Sequence, residues 1–153
     1  MLKVGDRAPE FELKDDSGET VRLSELLEAG PLVLYFYPAD FTPGCTKEAC
    51  SFRDRHEDVT ASGLRIFGVS PQSSERHAEF RERYRLPFRL LADPDRRAIA
   101  AFDAKGPLGL GVRRITYLIG DDGLIRGAVQ ADLRIGRHEQ FLDEAIREMS
   151  AGT

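Results

Sequence analysis

Apolar runs alternate with amphipathic segments along most of this chain. Unbroken apolar runs such as 31–37 are typical of strands buried on both faces. Apolar positions three and four residues apart, as at Phe141, Leu142, Ala145 and Ile146, are typical of amphipathic helices. We predict strands at 31–37, 64–70, 88–91, 112–119 and 124–129, and helices at 24–29, 43–61, 73–84, 93–102 and 136–149.

The order of these elements predicts the class of fold. Strands that alternate with helices favour an α/β sheet, and the Asp121-Asp122-Gly123 turn adds an antiparallel strand at its edge. Residues 10–23 predict two short extended pieces around a turn at 15–18, ahead of the first helix. In such a sheet, functional sites lie at the carboxyl ends of strands, and the segment after Tyr37 is one such end.

Length, composition and charge argue against several classes of function. A chain of 153 residues predicts one domain over 1–153, and 41% apolar with 31% charged residues is ordinary for a globular protein. The net charge of -4 favours neither nucleic acid nor an anionic membrane as a partner. We see no secretory signal and no membrane span, so we expect a cytoplasmic protein. In that compartment two cysteines are more often catalytic, sensing or incidental than a permanent disulfide.

Both cysteines lie in residues 38–50, directly after the strand at 31–37. Thr42 and Pro43 predict the N-cap and first position of a helix, which places Cys45 in the first turn. There the helix dipole and unpaired N–H groups stabilise a thiolate. The N–H groups of Gly44 and Cys45 would remain available to an oxygen atom of a substrate, and Gly44 has no side chain to obstruct it.

A cation near the thiolate would strengthen this arrangement. Arg113 and Arg114 begin an otherwise apolar strand, where a buried arginine requires a partner. Glu48, one helical turn from Cys45, can be that partner. The alternative is that both arginines point to solvent at the end of the strand.

The spacing of the cysteines also restricts their chemistry. In a regular helix the Cα atoms of Cys45 and Cys50 are roughly 8.7 Å apart, whereas a disulfide requires about 4.4–6.8 Å. They can bond only if the helix unwinds; alternatively, Cys50 is a helix residue without chemistry. The pair is neither a C-x-x-C dithiol nor, without a histidine cluster, a zinc site. His56, His77 and His138 lie on charged helical stretches and are predicted to be solvated.

The run Pro38-x-x-x-Thr42-x-x-Cys45 resembles the active-site motif of the peroxiredoxins. Residues 36–50 as a whole resemble the bacterioferritin-comigratory-protein (peroxiredoxin Q) branch of that family. Further matches lie at 4–11, 68–70, 86–88, 91–93 and 114–119. The last of these selects Arg114 over Arg113. The loop at 104–111 is shorter than in the branch members.

The resemblance implies a thioredoxin-like fold and a thiol peroxidase that needs no metal or organic cofactor. Cys45 would be the peroxidatic cysteine, whose thiolate attacks the peroxide and becomes a sulfenic acid. Thr42 would hydrogen-bond the peroxide, and Arg114 would stabilise the thiolate and the developing charge. Pro38 would shield the site from water, and Glu48 would orient Arg114.

The resemblance also implies a role for Cys50. It would resolve the sulfenic acid as an intramolecular disulfide after local unwinding, and thioredoxin or a similar dithiol would reduce that disulfide. Because both cysteines lie in one helix, we expect a monomer. Two alternatives remain: a peroxide sensor or relay that uses the same Cys45, and a one-cysteine peroxidase in which Cys50 is structural.

Overall fold

The computed structural model describes residues 1–151 of the chain. Its strands are β1 Glu12–Asp15, β2 Thr20–Arg22, β3 Leu32–Phe36, β4 Ile66–Ser70, β5 Leu90–Ala92, β6 Ile115–Ile119 and β7 Ile125–Gln130. Its helices are α1 Leu23–Leu27, α2 Pro43–Asp54, α3 His56–Ala61, α4 Ser74–Tyr84, α5 Arg97–Ala101 and α6 Ile135–Ala151. One domain over 1–153 stays a prediction, since its last two residues lie outside the described ones.

The strands form one mixed sheet in the order β2-β1-β5-β4-β3-β6-β7. Strand β3 pairs in parallel with β4 and antiparallel with β6. The β1–β2 hairpin extends one edge beyond β5, and β7 closes the other beyond β6. The predicted α/β sheet, its N-terminal hairpin and its late antiparallel strand are therefore confirmed.

Both faces of the sheet are covered, which explains the unbroken apolar runs. Leu34 and Phe36 of β3 face a core that includes Phe102 and Tyr117. Val33, Tyr35 and Tyr37 face a second core that includes residues of α2, α4 and α6. On that face Tyr35 lies against Gly68 of β4, where a Cβ atom would stand 2.8 Å from the tyrosine ring. Within residues 1–151, no helix has the length and apolar character to cross a membrane.

Two helices differ from their predicted bounds by more than two residues at one end. The predicted helix at 43–61 is broken at Arg55, whose backbone (φ -99°, ψ 3°) leaves the helical region and separates α2 from α3. The helix predicted to start at 93 begins at Arg97, because Arg96 is left-handed with φ 58°. The Asp93 carboxylate instead accepts hydrogen bonds from the N–H groups of Arg97 and Ile99.

Candidate active site

Cys45 lies in the first turn of α2, nine residues after Phe36, the last residue of β3. Thr42 is the N-cap in extended conformation and Pro43 the first helical residue, as predicted. The first hydrogen bond into the helix runs from Thr46 N–H to Thr42 C=O at 2.9 Å. The N–H groups of Gly44 and Cys45 precede it and have no acceptor within the helix. Cys45 itself is only 1% exposed.

Thr42, the N-cap of α2, and Pro38, in the loop after β3, are both exposed. The Thr42 hydroxyl makes no capping bond to the helix. It donates instead to the carbonyl oxygen of Ala39 at 3.0 Å, which fixes the hydroxyl at the surface above the start of α2.

Arg114, the residue directly before β6, reaches the buried sulfur of Cys45. Its Nη1 and Nη2 both lie 3.4 Å from Cys45 Sγ, and Nη1 donates to Glu48 Oε1 at 2.9 Å. Arg114 is 6% exposed, so the alternative in which it points to solvent is wrong. Gly44 permits this approach, because a Cβ atom there would stand 3.1 Å from Arg114 Nη2.

Asp132 fixes the position of the Arg114 backbone. Its N–H donates to Asp132 Oδ1 at 2.8 Å, and its Nε faces the Asp132 carbonyl oxygen at 3.4 Å. Since Asp132 lies in the segment between β7 and α6, that segment fixes the position from which the guanidinium extends.

The electrostatics of the site centre on this arginine. Burial disfavours its charge, but Glu48 and Cys45 outweigh burial and raise the Arg114 pKa, so it is a permanent cation. Burial raises the pKa of Glu48 to about 7, although Arg114 acts in the opposite direction. The site therefore pairs a fixed positive charge with a carboxyl group that titrates near neutrality.

Cys50 lies in the same unbroken helix and is half-buried. Both cysteines are free thiols in this structure. Burial raises the pKa of the Cys50 thiol, which favours its protonated form while α2 is intact.

The second half of α2 is attached to α6. Arg55, which follows α2, donates to Asp143 at 2.9 Å and lies 3.4 Å from Glu139. The Ser51 hydroxyl also donates to Glu139. These contacts hold the C-terminal end of α2 against α6, whereas Cys45 lies in the first turn of the helix.

The prediction that all three histidines are solvated is wrong for two of them. His77 and His138 are 0% exposed, and His56 is half-buried. The physical reason is helical spacing: His77 is three residues before Phe80, and His138 is four residues before Leu142. Each histidine therefore lies on the apolar face of its helix, and this periodicity is the signal that could have located them.

His77 belongs to a buried polar cluster below the loop after β3. Its Nδ1 lies 2.6 Å from Asp40 Oδ2 and its Nε2 lies 3.1 Å from the Leu91 carbonyl oxygen. The Tyr37 hydroxyl donates to Asp40 Oδ1 at 2.6 Å. The next residue, Phe41, has φ 66°, a left-handed conformation that is costly for an aromatic residue. The cluster thus anchors a strained loop that carries Thr42.

Comparison with known proteins agrees with this geometry. The model of the AhpC/TSA family matches residues 4–128. Peroxiredoxin Bcp of Bacillus subtilis is 47% identical over 128 residues, which cover 80% of this chain and 81% of that protein. Chloroplastic peroxiredoxin Q of Sedum lineare is 38% identical over 144 residues, 94% of this chain and 75% of that protein.

Solved structures show the same relationship. The crystal structure of peroxidoxin BcpB from Mycobacterium tuberculosis has a TM-score of 0.88 at 36% identity, and the match covers 99% of this chain and 98% of that one. Xanthomonas campestris peroxiredoxin Q has a TM-score of 0.81 at 29% identity, with 92% and 90% covered. The chain therefore belongs to the AhpC/TSA family, in the branch of thiol peroxidases that contains Bcp and peroxiredoxin Q.

Proposed function

We propose that Cys45 is the peroxidatic cysteine of this enzyme, and that it reduces hydrogen peroxide and organic hydroperoxides. The observation that carries this proposal is the contact between Arg114 and Cys45. Both terminal nitrogens of a buried arginine lie 3.4 Å from a buried sulfur in the first turn of a helix. A thiolate at this place faces a full positive charge as well as the positive end of the helix dipole.

In the first step the Cys45 thiolate attacks the terminal oxygen of the peroxide. An S–O bond forms as the O–O bond breaks, and the departing oxygen takes a proton and leaves as water or an alcohol. Negative charge moves from sulfur to the peroxide oxygens, so donors fixed around the sulfur stabilise the transition state. Arg114 and the N–H groups of Gly44 and Cys45 are those donors.

Thr42 and Pro38 would act at the entrance of the site. The Thr42 hydroxyl already donates to a carbonyl oxygen, which leaves its own oxygen free to accept from a peroxide O–H. Pro38, which is exposed in the loop after β3, would limit the access of water. Glu48 would orient Arg114 through the 2.9 Å hydrogen bond between them.

In the second step Cys50 would attack the sulfenic acid, so that an S–S bond forms and water leaves. The helix must first unwind, since both cysteines lie within the unbroken α2. A dithiol of the thioredoxin type would then reduce the disulfide and restore both thiols. One chain contains both cysteines, so a monomer in a reducing compartment such as the cytoplasm suffices for this cycle. One solved relative, Xanthomonas campestris bacterioferritin comigratory protein, is described with alkyl peroxide reduction activity, which supports organic hydroperoxides as substrates.

The test is the intact mass and free-thiol count after one equivalent of hydrogen peroxide, on wild type, Cys50→Ser and Cys45→Ser. We expect wild type to lose two hydrogens and both thiols, and Cys50→Ser to hold a trappable sulfenic acid on Cys45. Cys45→Ser is the matched control and should not react.

Three other outcomes separate the alternatives. If wild type stops at a sulfenic or sulfinic acid with Cys50 still free, the enzyme uses one cysteine. If the disulfide forms but thioredoxin does not recycle it through repeated turnovers, Cys45 acts as a sensor or relay. If Cys45 does not react with peroxide, the proposed function is wrong.

A further inference from the structure

The second oxygen of Glu48 has no hydrogen-bond donor in the described part of the chain. Oε1 accepts from Arg114, but Oε2 is buried and makes no hydrogen bond. Its polar neighbour is Nδ1 of His138, at 3.4 Å. An ionised carboxylate oxygen left in this state is costly, because it has lost water and gained no donor.

The surroundings of His138 determine which of its nitrogens carries hydrogen. Nε2 lies 2.9 Å from the carbonyl oxygen of Ala131, which can only accept, so Nε2 carries the hydrogen. Nδ1 lies 2.7 Å from the Thr116 hydroxyl and 3.4 Å from Glu48 Oε2. In the neutral ring, Nδ1 accepts from Thr116, and its lone pair faces the carboxylate. A single proton placed on Oε2 or on Nδ1 converts this repulsive contact into a hydrogen bond.

We propose that His138 is a positioning residue of the thiol site, which shares one buried proton with Glu48 and so sets how much of the Arg114 charge is available to Cys45. This inference rests on the proposed function. With the shared proton in place, Glu48 and His138 together carry no net charge, and the guanidinium acts on the thiolate and the peroxide. Without it, the Glu48 carboxylate competes for the guanidinium and repels the thiolate.

Burial and the neighbouring charged groups act on both members of the pair. Arg114 before β6, Cys45 on α2 and Tyr35 on β3 interact with Glu48. Burial is the largest influence on His138 and lowers its pKa, as does Arg114, whereas the hydrogen bond to Ala131 and the charge of Asp132 act in the opposite direction. Because burial also raises the pKa of Glu48 to about 7, the shared proton resides on the carboxyl side and leaves near neutral pH.

Two variants are expected to move this titration in opposite directions. His138→Phe keeps a ring but removes Nδ1, so neutral Glu48 loses its acceptor and ionises at lower pH. Thr116→Val keeps the buried volume but removes the donor that competes for Nδ1, so the proton is held to higher pH. His56→Phe is the control, because His56 lies at the start of α3, outside this site.

The measurement is the second-order rate constant for Cys45 with hydrogen peroxide across the neutral pH range, by competition with a haem peroxidase. We expect His138→Phe to be about tenfold slower at neutral pH, which corresponds to ~1.4 kcal/mol of activation free energy. The midpoint of interest is the pH at which the rate constant falls as the shared proton is lost. This midpoint should be lower than in wild type for His138→Phe, higher for Thr116→Val and unchanged for His56→Phe. The rate of Cys45 alkylation by iodoacetamide, in a Cys50→Ser background, gives the same midpoints without peroxide.

The inference is wrong if the midpoint is unchanged in both His138→Phe and Thr116→Val. It is also wrong if both midpoints shift in the same direction, in proportion to the thermal stability that each variant loses. If His138→Phe does not fold, Thr116→Val still tests the direction. If wild type does not react with peroxide at all, the proposed function fails, while the alkylation midpoints still decide whether His138 controls the site.

Discussion

The proposed disulfide requires α2 to unwind between Cys45 and Cys50, and Ala49 is the residue at which this can be tested most directly. Ala49 lies inside that segment and is 1% exposed. Ala49→Gly lowers helix propensity by about 1 kcal/mol and removes a buried methyl group worth about 0.8 kcal/mol. Together these changes lower the free energy required to open the segment by about 2 kcal/mol.

The effect on rate follows if opening is a rapid equilibrium that precedes bond formation. The rate of disulfide formation is then proportional to the population of the open helix, and about 2 kcal/mol increases it roughly 30-fold. Excess peroxide should also produce less sulfinic acid, because the sulfenic acid persists for a shorter time. The assay adds one equivalent of hydrogen peroxide, quenches samples with an alkylating reagent, and follows sulfenic acid and disulfide by intact mass.

Ala78→Gly is the matched control for this experiment. Ala78 lies mid-helix in α4 and is half-buried, so it incurs a similar penalty outside the segment between the cysteines. It should lower the free energy of unfolding without accelerating disulfide formation. If Ala49→Gly is destabilised but forms its disulfide at the wild-type rate, α2 does not have to unwind and the geometric reasoning is refuted.

Three further predictions concern single side chains. Arg114→Lys should slow the reaction of Cys45 with peroxide by about 10²-fold, since one ammonium group cannot replace two aligned donors; a loss below tenfold in the competition assay would count against its role. Burial raises the Glu48 pKa from 4.5 to about 7. The contribution of Glu48 to the free energy of unfolding is therefore fully present below pH 4.5 and is lost as the pH rises through about 7. That loss should be about 3 kcal/mol in urea titrations and absent in Glu48→Gln, and a parallel pH dependence in the variant would contradict this. His77→Leu removes the partner of Asp40 Oδ2, although the Tyr37 hydroxyl still bonds Oδ1, and should cost about 1–3 kcal/mol of unfolding free energy by urea denaturation, whereas a cost under about 0.5 kcal/mol would mean that the contact contributes little.

The local pattern of the sequence was sufficient to place Cys45. An apolar run predicts the buried strand, and Thr42 with Pro43 predicts the start of the helix, because these signals act within a few residues. Arg114 was selected by a weaker signal, a charge beside an apolar strand, and only the family resemblance separated it from Arg113. The structure supplies the reason: Phe36 of β3 pairs with Ile115 of β6, so the residue before Ile115 lies beside the end of β3.

The buried histidines show where sequence reasoning failed. A histidine on a charged helix is usually solvated, and its burial depends on what the fold places opposite it. Asp40 opposite His77 is 37 residues away in the chain, and Thr116 opposite His138 is 22 residues away. Helical periodicity could have placed both rings on the apolar face, but not their partners, which only the packing of α4 and α6 on the sheet determines.

The position of Glu48 makes the two halves of the proposed cycle mutually exclusive. It lies between Cys45 and Cys50 on α2 and bonds Arg114, so the turn that must unwind for the disulfide also holds the arginine in place. Opening that turn separates the sulfur from the guanidinium that activates it. The contacts of Arg55 with α6 lie beyond the segment and can persist while it opens. An oxidised Cys45 that reaches Cys50 has therefore left the environment that favours a second attack on peroxide. The balance between sulfinic acid and disulfide then depends on how long the first turn of α2 stays closed.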